Sequence, residues 1–133
     1  MAAVVVDASI IVDLLVNQPN SEPLERLLAR GRDQLVVPAL CDLEVASSIR
    51  GGVIRGTLSI SLSESLLDDY LSLPLERHGH EMLLPRVLQL ADNFTAYDAV
   101  YVALAERLGA SLITSDARLA RAVAAHTEVT ALD

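Results

Sequence analysis

The sequence predicts an α/β fold, a parallel sheet held between helices in three layers. Short apolar, β-branched runs alternate with helix-length segments from end to end, as they do where crossover helices join parallel strands. The chain has 133 residues, 52% hydrophobic and 21% charged. That is the size and composition of one globular domain burying roughly two-thirds of its unfolded surface. Residues 1–133 therefore read as a single domain without repeats, low-complexity tracts or linkers.

Ala2–Val6 carries a continuous β-branched run and reads as a buried strand. Ser9–Val16 follows as a helix, stopped by the "NQPN" turn at 17–20. Ser21 is placed to cap a second helix over Glu22–Arg30, which Gly31 ends. Leu35–Val37 is a strand closed by Pro38, and Leu40–Arg50 a helix stopped by Gly51-Gly52. Residues 53–93 read as largely helical, interrupted near Pro74 and the "HGH" loop. Thr95 opens a helix running to Leu108 and ending at Gly109. Ser111–Thr114 is a strand, Ala117–Ala125 a helix and Glu128–Ala131 a last strand.

The formal charge is −8, and all ten basic residues are Arg. Simple phosphate gripping uses a basic face, and Tyr70, Phe94, Tyr97 and Tyr101 are too few for a base-stacking platform. A basic-patch nucleic-acid binder is therefore not expected. The lone Cys41 has no internal disulfide partner, which suits a reducing compartment. The N-terminus lacks a basic signal region, and no apolar run is long enough to span a bilayer. The expectation is a soluble cytoplasmic protein without a membrane partner.

The stretch "VVVDAS" ends an apolar strand on a carboxylate, Asp7. In a parallel α/β sheet that residue lies at the carboxyl edge, where such folds bind ligands. Three more acids belong to the same edge. Asp116 follows the strand "SLIT" by two residues, and Asp98 is in the first turn of the helix feeding that strand. Glu44 is one turn into the helix after Leu35–Val37. Each has a plain structural role available: Asp7 and Asp116 as helix N-caps, Thr95 and Asp98 as a capping box, Glu44 on a solvated stripe with Ser47 and Ser48. Asp98 resists that reading. Its helix, "AYDAVYVALAERL", is apolar nearly all round, with no basic residue within a turn of the acid, and an ionised acid beside an apolar face needs a partner.

Four converging carboxylates also repel one another. A divalent cation resolves both problems, and oxygen-only ligands suit Mg²⁺, with Mn²⁺ as a substitute, rather than Zn²⁺. His78-Gly79-His80-Glu81 matches no zinc spacing and reads as a solvated turn; His126 reads as surface and Cys41 as a small core residue. The chemistry of such a site is metal-assisted hydrolysis of a phosphate ester by metal-activated water.

The segments "VVVDASIIVDLL", "LEVASSIR" and "TAYDAVYVALAERLGASLITSDARL" resemble those of PIN-domain ribonucleases, most closely VapC-type toxins of bacterial toxin–antitoxin pairs. The resemblance covers the whole chain and is most specific over 95–119. It implies a five-stranded parallel sheet and Mg²⁺-dependent endoribonuclease activity. It further implies dimerisation, and inhibition by a VapB-type antitoxin. Matching motifs place the family's acidic residues, as catalytic and metal ligands, on Asp7, Glu44, Asp98 and Asp116, and its supporting polar residues, positioning substrate or water, on Ser9 and Thr114. Asp42 is extra to the pattern. The alternatives are a non-catalytic PIN-like binding module, or another metal-dependent phosphoesterase. A receiver domain would need a late Lys, and a haloacid-type phosphatase an Asp in place of Ser9; both are absent.

Overall fold

In the computed structural model, which describes residues 2–132, the chain begins β1 (Ala3–Val6), α1 (Ala8–Leu15), α2 (Glu22–Arg30), β2 (Gln34–Pro38) and α3 (Leu40–Ile54). It continues α4 (Ile60–Leu71), β3 (Leu75–His78), α5 (Leu84–Gln89) and α6 (Ala96–Leu108), and ends β4 (Ser111–Ile113), α7 (Ala117–His126) and β5 (Ala131–Leu132). The expected domain bounds, Met1 and Asp133, lie just outside the described residues. All five strands are parallel, in the order β3-β2-β1-β4-β5. The central strand is the β-branched run: Val5 and Val6 are fully buried, paired with Val36 on one side and Ile113 on the other. Helices cover the sheet on both faces as the expected three-layer α/β/α fold. Of these, α6 lies across β1, β2 and β4, and every residue from Ala99 to Ala105 is buried.

The topology positions the site. After β1 the chain builds β2 and β3 outward on one side, then returns to place β4 and β5 on the other. The order therefore reverses at β1, and a crevice opens beyond the carboxyl ends of β1 and β4. Asp7 and Thr114 are the residues that follow those two ends.

The structure corrects four local expectations. The residue pattern supplied only four strands; the fifth is β3, "LERH", whose Glu76 and Arg77 are exposed. An edge strand buries too little to carry an apolar signature. Ser21 does not cap α2: it sits in a short 3₁₀ turn with helical backbone angles, and its hydroxyl donates to the Gln18 carbonyl at 2.9 Å. The last strand is displaced to Ala131–Leu132.

The fourth correction concerns the glycine pair. α3 does not stop at Arg50 but runs through Gly51 and Gly52 to Ile54. The Gly52 carbonyl then accepts the backbone N–H groups of Thr57 (2.9 Å) and Leu58 (3.1 Å) and the Thr57 hydroxyl (3.1 Å). The chain thus folds back over a residue without a side chain. A Cβ on Gly52 would lie 2.5 Å from Cδ1 and 2.8 Å from Cγ of Leu58, whereas one on Gly51 would meet only the tip of the Arg55 side chain, at 2.9 Å. Gly52→Ala is therefore expected to destabilise the fold by about 1–3 kcal/mol through overpacking. Gly51→Ala is expected to be neutral or to gain up to about 1 kcal/mol of helix propensity. Urea unfolding of the two variants tests the contrast, and equal midpoints would refute this account of the turn.

Candidate active site

Asp7 is 7% exposed at the buried end of β1, and its backbone N–H donates to Ile113 O of the neighbouring strand at 2.9 Å. Two hydroxyls from different elements converge on one of its oxygens. Ser9, in the first turn of α1, donates to Oδ2 at 2.6 Å, and Thr114 donates to the same atom at 2.8 Å. The two hydroxyl oxygens are 3.0 Å apart. Each has spent its single proton on Asp7, so each is left as an acceptor. Ser9 Oγ then takes the Ser115 N–H at 3.2 Å, and Thr114 Oγ1 takes the Asp116 N–H at 3.0 Å. This relay ties the β4–α7 turn to β1. No side chain donates to Oδ1 of Asp7 among the described residues, and Asp7 lines the groove outside. Burial raises the Asp7 pKa above the usual carboxylate range; the two hydroxyls lower it in part, and the charge of Asp98 raises it again. Asp7 makes no helix-capping bond with its side chain.

Glu44 is half-buried one turn into α3, and Tyr101 of α6, itself fully buried, donates to its Oε1 at 2.6 Å. Burial again raises the acid's pKa, the Tyr101 bond lowers it, and Asp7 and Asp98 raise it further. Asp42, two residues earlier, is a structural anchor. It accepts from the buried Tyr70 hydroxyl (2.6 Å) and from Arg77 Nε (2.8 Å), whose guanidinium stacks over the Tyr70 ring at 5.4 Å. Cys41 lies between these pairs with no exposure, and burial pushes its thiol to about 11, which leaves it protonated and inert.

Asp98 and Asp116 meet through a third residue. Arg118 Nη2 donates to Asp98 Oδ2 at 3.0 Å and to Asp116 Oδ2 at 3.2 Å. Asp116 is also the N-cap of α7: its Oδ1 accepts the N–H groups of Arg118 and Leu119 at 3.0 and 3.2 Å. Half of the Thr95–Asp98 capping box is present, Thr95 Oγ1 accepting the Asp98 N–H at 3.2 Å. The partner that Asp98 requires thus comes from α7, 20 residues on.

All four sequence-predicted acids and Ser9 line one open groove of about 830 Å³ at the carboxyl edge, with Asp13, Leu43, Ser47, Ser48 and Tyr97. Thr114 stands just behind them. Among the described residues, no three His, Cys, Asp or Glu side chains are grouped closely enough to hold an ion unaided. Mg²⁺ takes only one or two carboxylates and completes its octahedron with water and phosphate oxygens. An all-carboxylate set in an open groove, with Asp7 in its wall, fits such an ion and does not fit zinc.

Sequence reasoning missed Arg118 and Tyr101 as members of this site. Arg118 was legible only as a neighbour of Asp116, and Tyr101 only as an apolar-face residue one turn after Asp98. The histidines lie elsewhere. His78 ends β3 half-buried, and His80 is not solvated turn chemistry, because its Nε2 accepts the Leu40 N–H at 3.1 Å at the start of α3. His126 is exposed, its ring edge-on to Phe94.

Comparison with known proteins gives a consistent picture. The family model for the PIN domain matches residues 4–125. The chain is 37% identical over 126 residues to ribonuclease VapC12 of Mycobacterium tuberculosis, covering 95% of this chain and 96% of that protein. It is 38% identical over 120 residues to ribonuclease VapC3 of the same organism, covering 90% and 86%. Among solved structures, the fold matches VapBC2 from Rickettsia felis, bound to a DNA fragment from their promoter, with a TM-score of 0.71 at 14% identity. That match covers 98% of this chain and 97% of the other.

The raised pKa values set a pH dependence. Above the ordinary carboxylate range, folded Asp7 and Glu44 hold protons that the unfolded chain has released. Their contribution to stability is therefore full below the unfolded pKa values and lost as pH rises through the folded ones. Asp7→Asn keeps an acceptor for Ser9 and Thr114 and removes the buried charge. In EDTA, this variant is expected to be more stable than wild type, by a margin that widens as pH rises above the ordinary carboxylate range. Thermal melts at a series of pH values test this; a margin that shrinks with rising pH would count against it.

Proposed function

The chain belongs to the PIN-domain family, among its VapC-type members, and on that premise we propose that it is a metal-dependent endoribonuclease, the toxin of a VapBC-like pair. The observation that carries this reading is Asp7, a buried carboxylate held by two hydroxyls at the mouth of a groove that also collects Glu44, Asp98 and Asp116. Curated relatives at 37–38% identity over most of this chain are named ribonucleases. A divalent ion, Mg²⁺ or Mn²⁺, would be held by Asp7 and Asp98 with Glu44 and Asp116 around it; it would neutralise the phosphate and lower the pKa of water.

The protein's own residues do the rest. Ser9 and Thr114 fix the Asp7 carboxylate in one orientation, so that it does not reorganise when charge arrives. Tyr101 does the same for Glu44, which burial and the neighbouring acids hold above the usual carboxylate range. Among the described residues no histidine lines the groove, so no imidazole is placed to activate a ribose 2′-hydroxyl.

The partner reading has its own support. Ile60 and Leu67 of α4, both exposed, face Ala46, Ile49 and Val53 of α3 across a shallow apolar groove of about 270 Å³. Leu43, 71% exposed, carries apolar surface to the acidic groove. Apolar surface of this extent suits a protein partner, and we assign it to a VapB-type antitoxin or to a second copy in a homodimer. Toxicity of wild-type protein expressed alone, absent for Asp7→Asn at equal protein levels, is the expected outcome in cells.

Water attack predicts the product ends. RNA cleaved with Mg²⁺ is expected to carry a 5′-phosphate on one fragment and a 3′-hydroxyl on the other. A 2′-deoxy nucleotide at the cleaved position should still be cut when the flanks remain RNA. Mass spectrometry of products from paired oligonucleotides reads both. A 2′,3′-cyclic phosphate would refute this chemistry, and unchanged cleavage by Asp7→Asn would remove the site assignment.

A further inference from the structure

A single nitrogen, Nη2 of Arg118, lies within 3.2 Å of carboxylate oxygens from two of the four acids. It stands between Asp98 and Asp116 and supplies the positive charge that a cation bound by these acids would supply. The rest of the side chain is free: Nε and Nη1 bond to nothing among the described residues, and the side chain is 61% exposed. Its backbone is the opposite. The Arg118 N–H is fixed by the Asp116 cap at 3.0 Å, at the N-terminal end of α7. The residue is thus an anchored backbone carrying an exposed charged arm.

We propose that Arg118 is an exchangeable counter-cation, which holds Asp98 and Asp116 together in the metal-free protein and must be displaced for a divalent ion to bind there. The proposal rests on the metal reading of the site given above. Neutralising two acids with a tethered guanidinium keeps the metal-free groove from repelling itself open. The same contact competes with the ion, so the protein's apparent metal affinity is lower than the affinity of its bare acids. Because the Arg118 side chain that makes both ion pairs is itself largely exposed, the competition is modest, and its removal should tighten binding by roughly three- to tenfold.

Arg121 supplies the control. It lies one turn further along α7, is exposed, and makes no ion pair among the described residues. Arg121→Gln removes the same unit of charge without touching the acids. Isothermal titration with Mn²⁺ is the test, at fixed pH and ionic strength, on wild type, Arg118→Gln and Arg121→Gln. Arg118→Gln is expected to bind Mn²⁺ about three- to tenfold more tightly than wild type, with Arg121→Gln within about twofold. Thermal melts give a second readout: metal-free Arg118→Gln should melt below wild type, and saturating Mn²⁺ should narrow that gap. Equal or weaker Mn²⁺ binding by Arg118→Gln would overturn the proposal, as would an equal gain in Arg121→Gln. Failure of all three proteins to bind Mn²⁺ would overturn the metal reading itself, and this proposal with it.

Discussion

Asp7 leaves the core at the end of a strand whose three preceding residues are fully or almost fully buried, and Ser9 and Thr114 keep its carboxylate in place by donating to a single oxygen. Much else depends on that junction. The parallel register that pairs Val6 with Ile113 brings Thr114 level with Asp7. A slip of one residue would turn Thr114 to the opposite face of the sheet and leave the acid without its second donor. Because both hydroxyl protons are spent on Asp7, the oxygens of Ser9 and Thr114 become acceptors for the backbone of the β4–α7 turn. The turn that carries Asp116 and Arg118 is therefore set by the same hydrogen bonds that set Asp7.

A second set of bonds orients the other wall. α3 presents Asp42 and Glu44 to two fully buried tyrosines, Tyr70 from α4 and Tyr101 from α6, at 2.6 Å each. The buried hydroxyl of a tyrosine needs a partner, and a half-buried carboxylate needs a donor; each supplies the other. Arg77 takes the remaining demand of Asp42, and Cys41 fills the space between the rings. The two acids look alike in sequence, yet one is neutralised by Arg77 and the other turned into the groove without a basic partner among the described residues. That difference separates a structural carboxylate from one available for chemistry.

The sequence made the site legible because topology alone sends Asp7, Glu44, Asp98 and Asp116 to one edge of a parallel sheet. What it hid were features that depend on tertiary neighbours. β3 is an exposed edge whose residues carry no strand pattern, and the resemblance rather than the residues supplied the fifth strand. Gly51-Gly52 reads as a stop, but Leu58 folding over Gly52 makes the glycine a packing requirement inside the helix. Ser21 has the right chemistry for a cap and the wrong backbone angles. Arg118 is not legible as the partner of Asp98 because it lies 20 residues away in sequence, and its guanidinium arrives from the next helix.

A chain of net charge −8 with a polyanion as its proposed substrate faces a problem at its own groove. Asp98 raises the pKa of Asp7, and Asp7 and Asp98 raise that of Glu44, which weakens the metal-free fold, while the same acids are the oxygen ligands the groove offers a cation. Folding alone would remove such a cluster; its persistence is the usual mark of a site where stability is given up for function. The core covers the deficit. The valines of β1 and the apolar body of α6 bury enough surface to hold four carboxylates on one edge. Fixed hydroxyl donors hold Asp7 and Glu44, while the arm of Arg118 holds Asp98 and Asp116. The α7 cap also fixes Asp116 through its other oxygen, so a cation entering the groove meets its competitor, the Arg118 guanidinium, on the Asp98–Asp116 side alone.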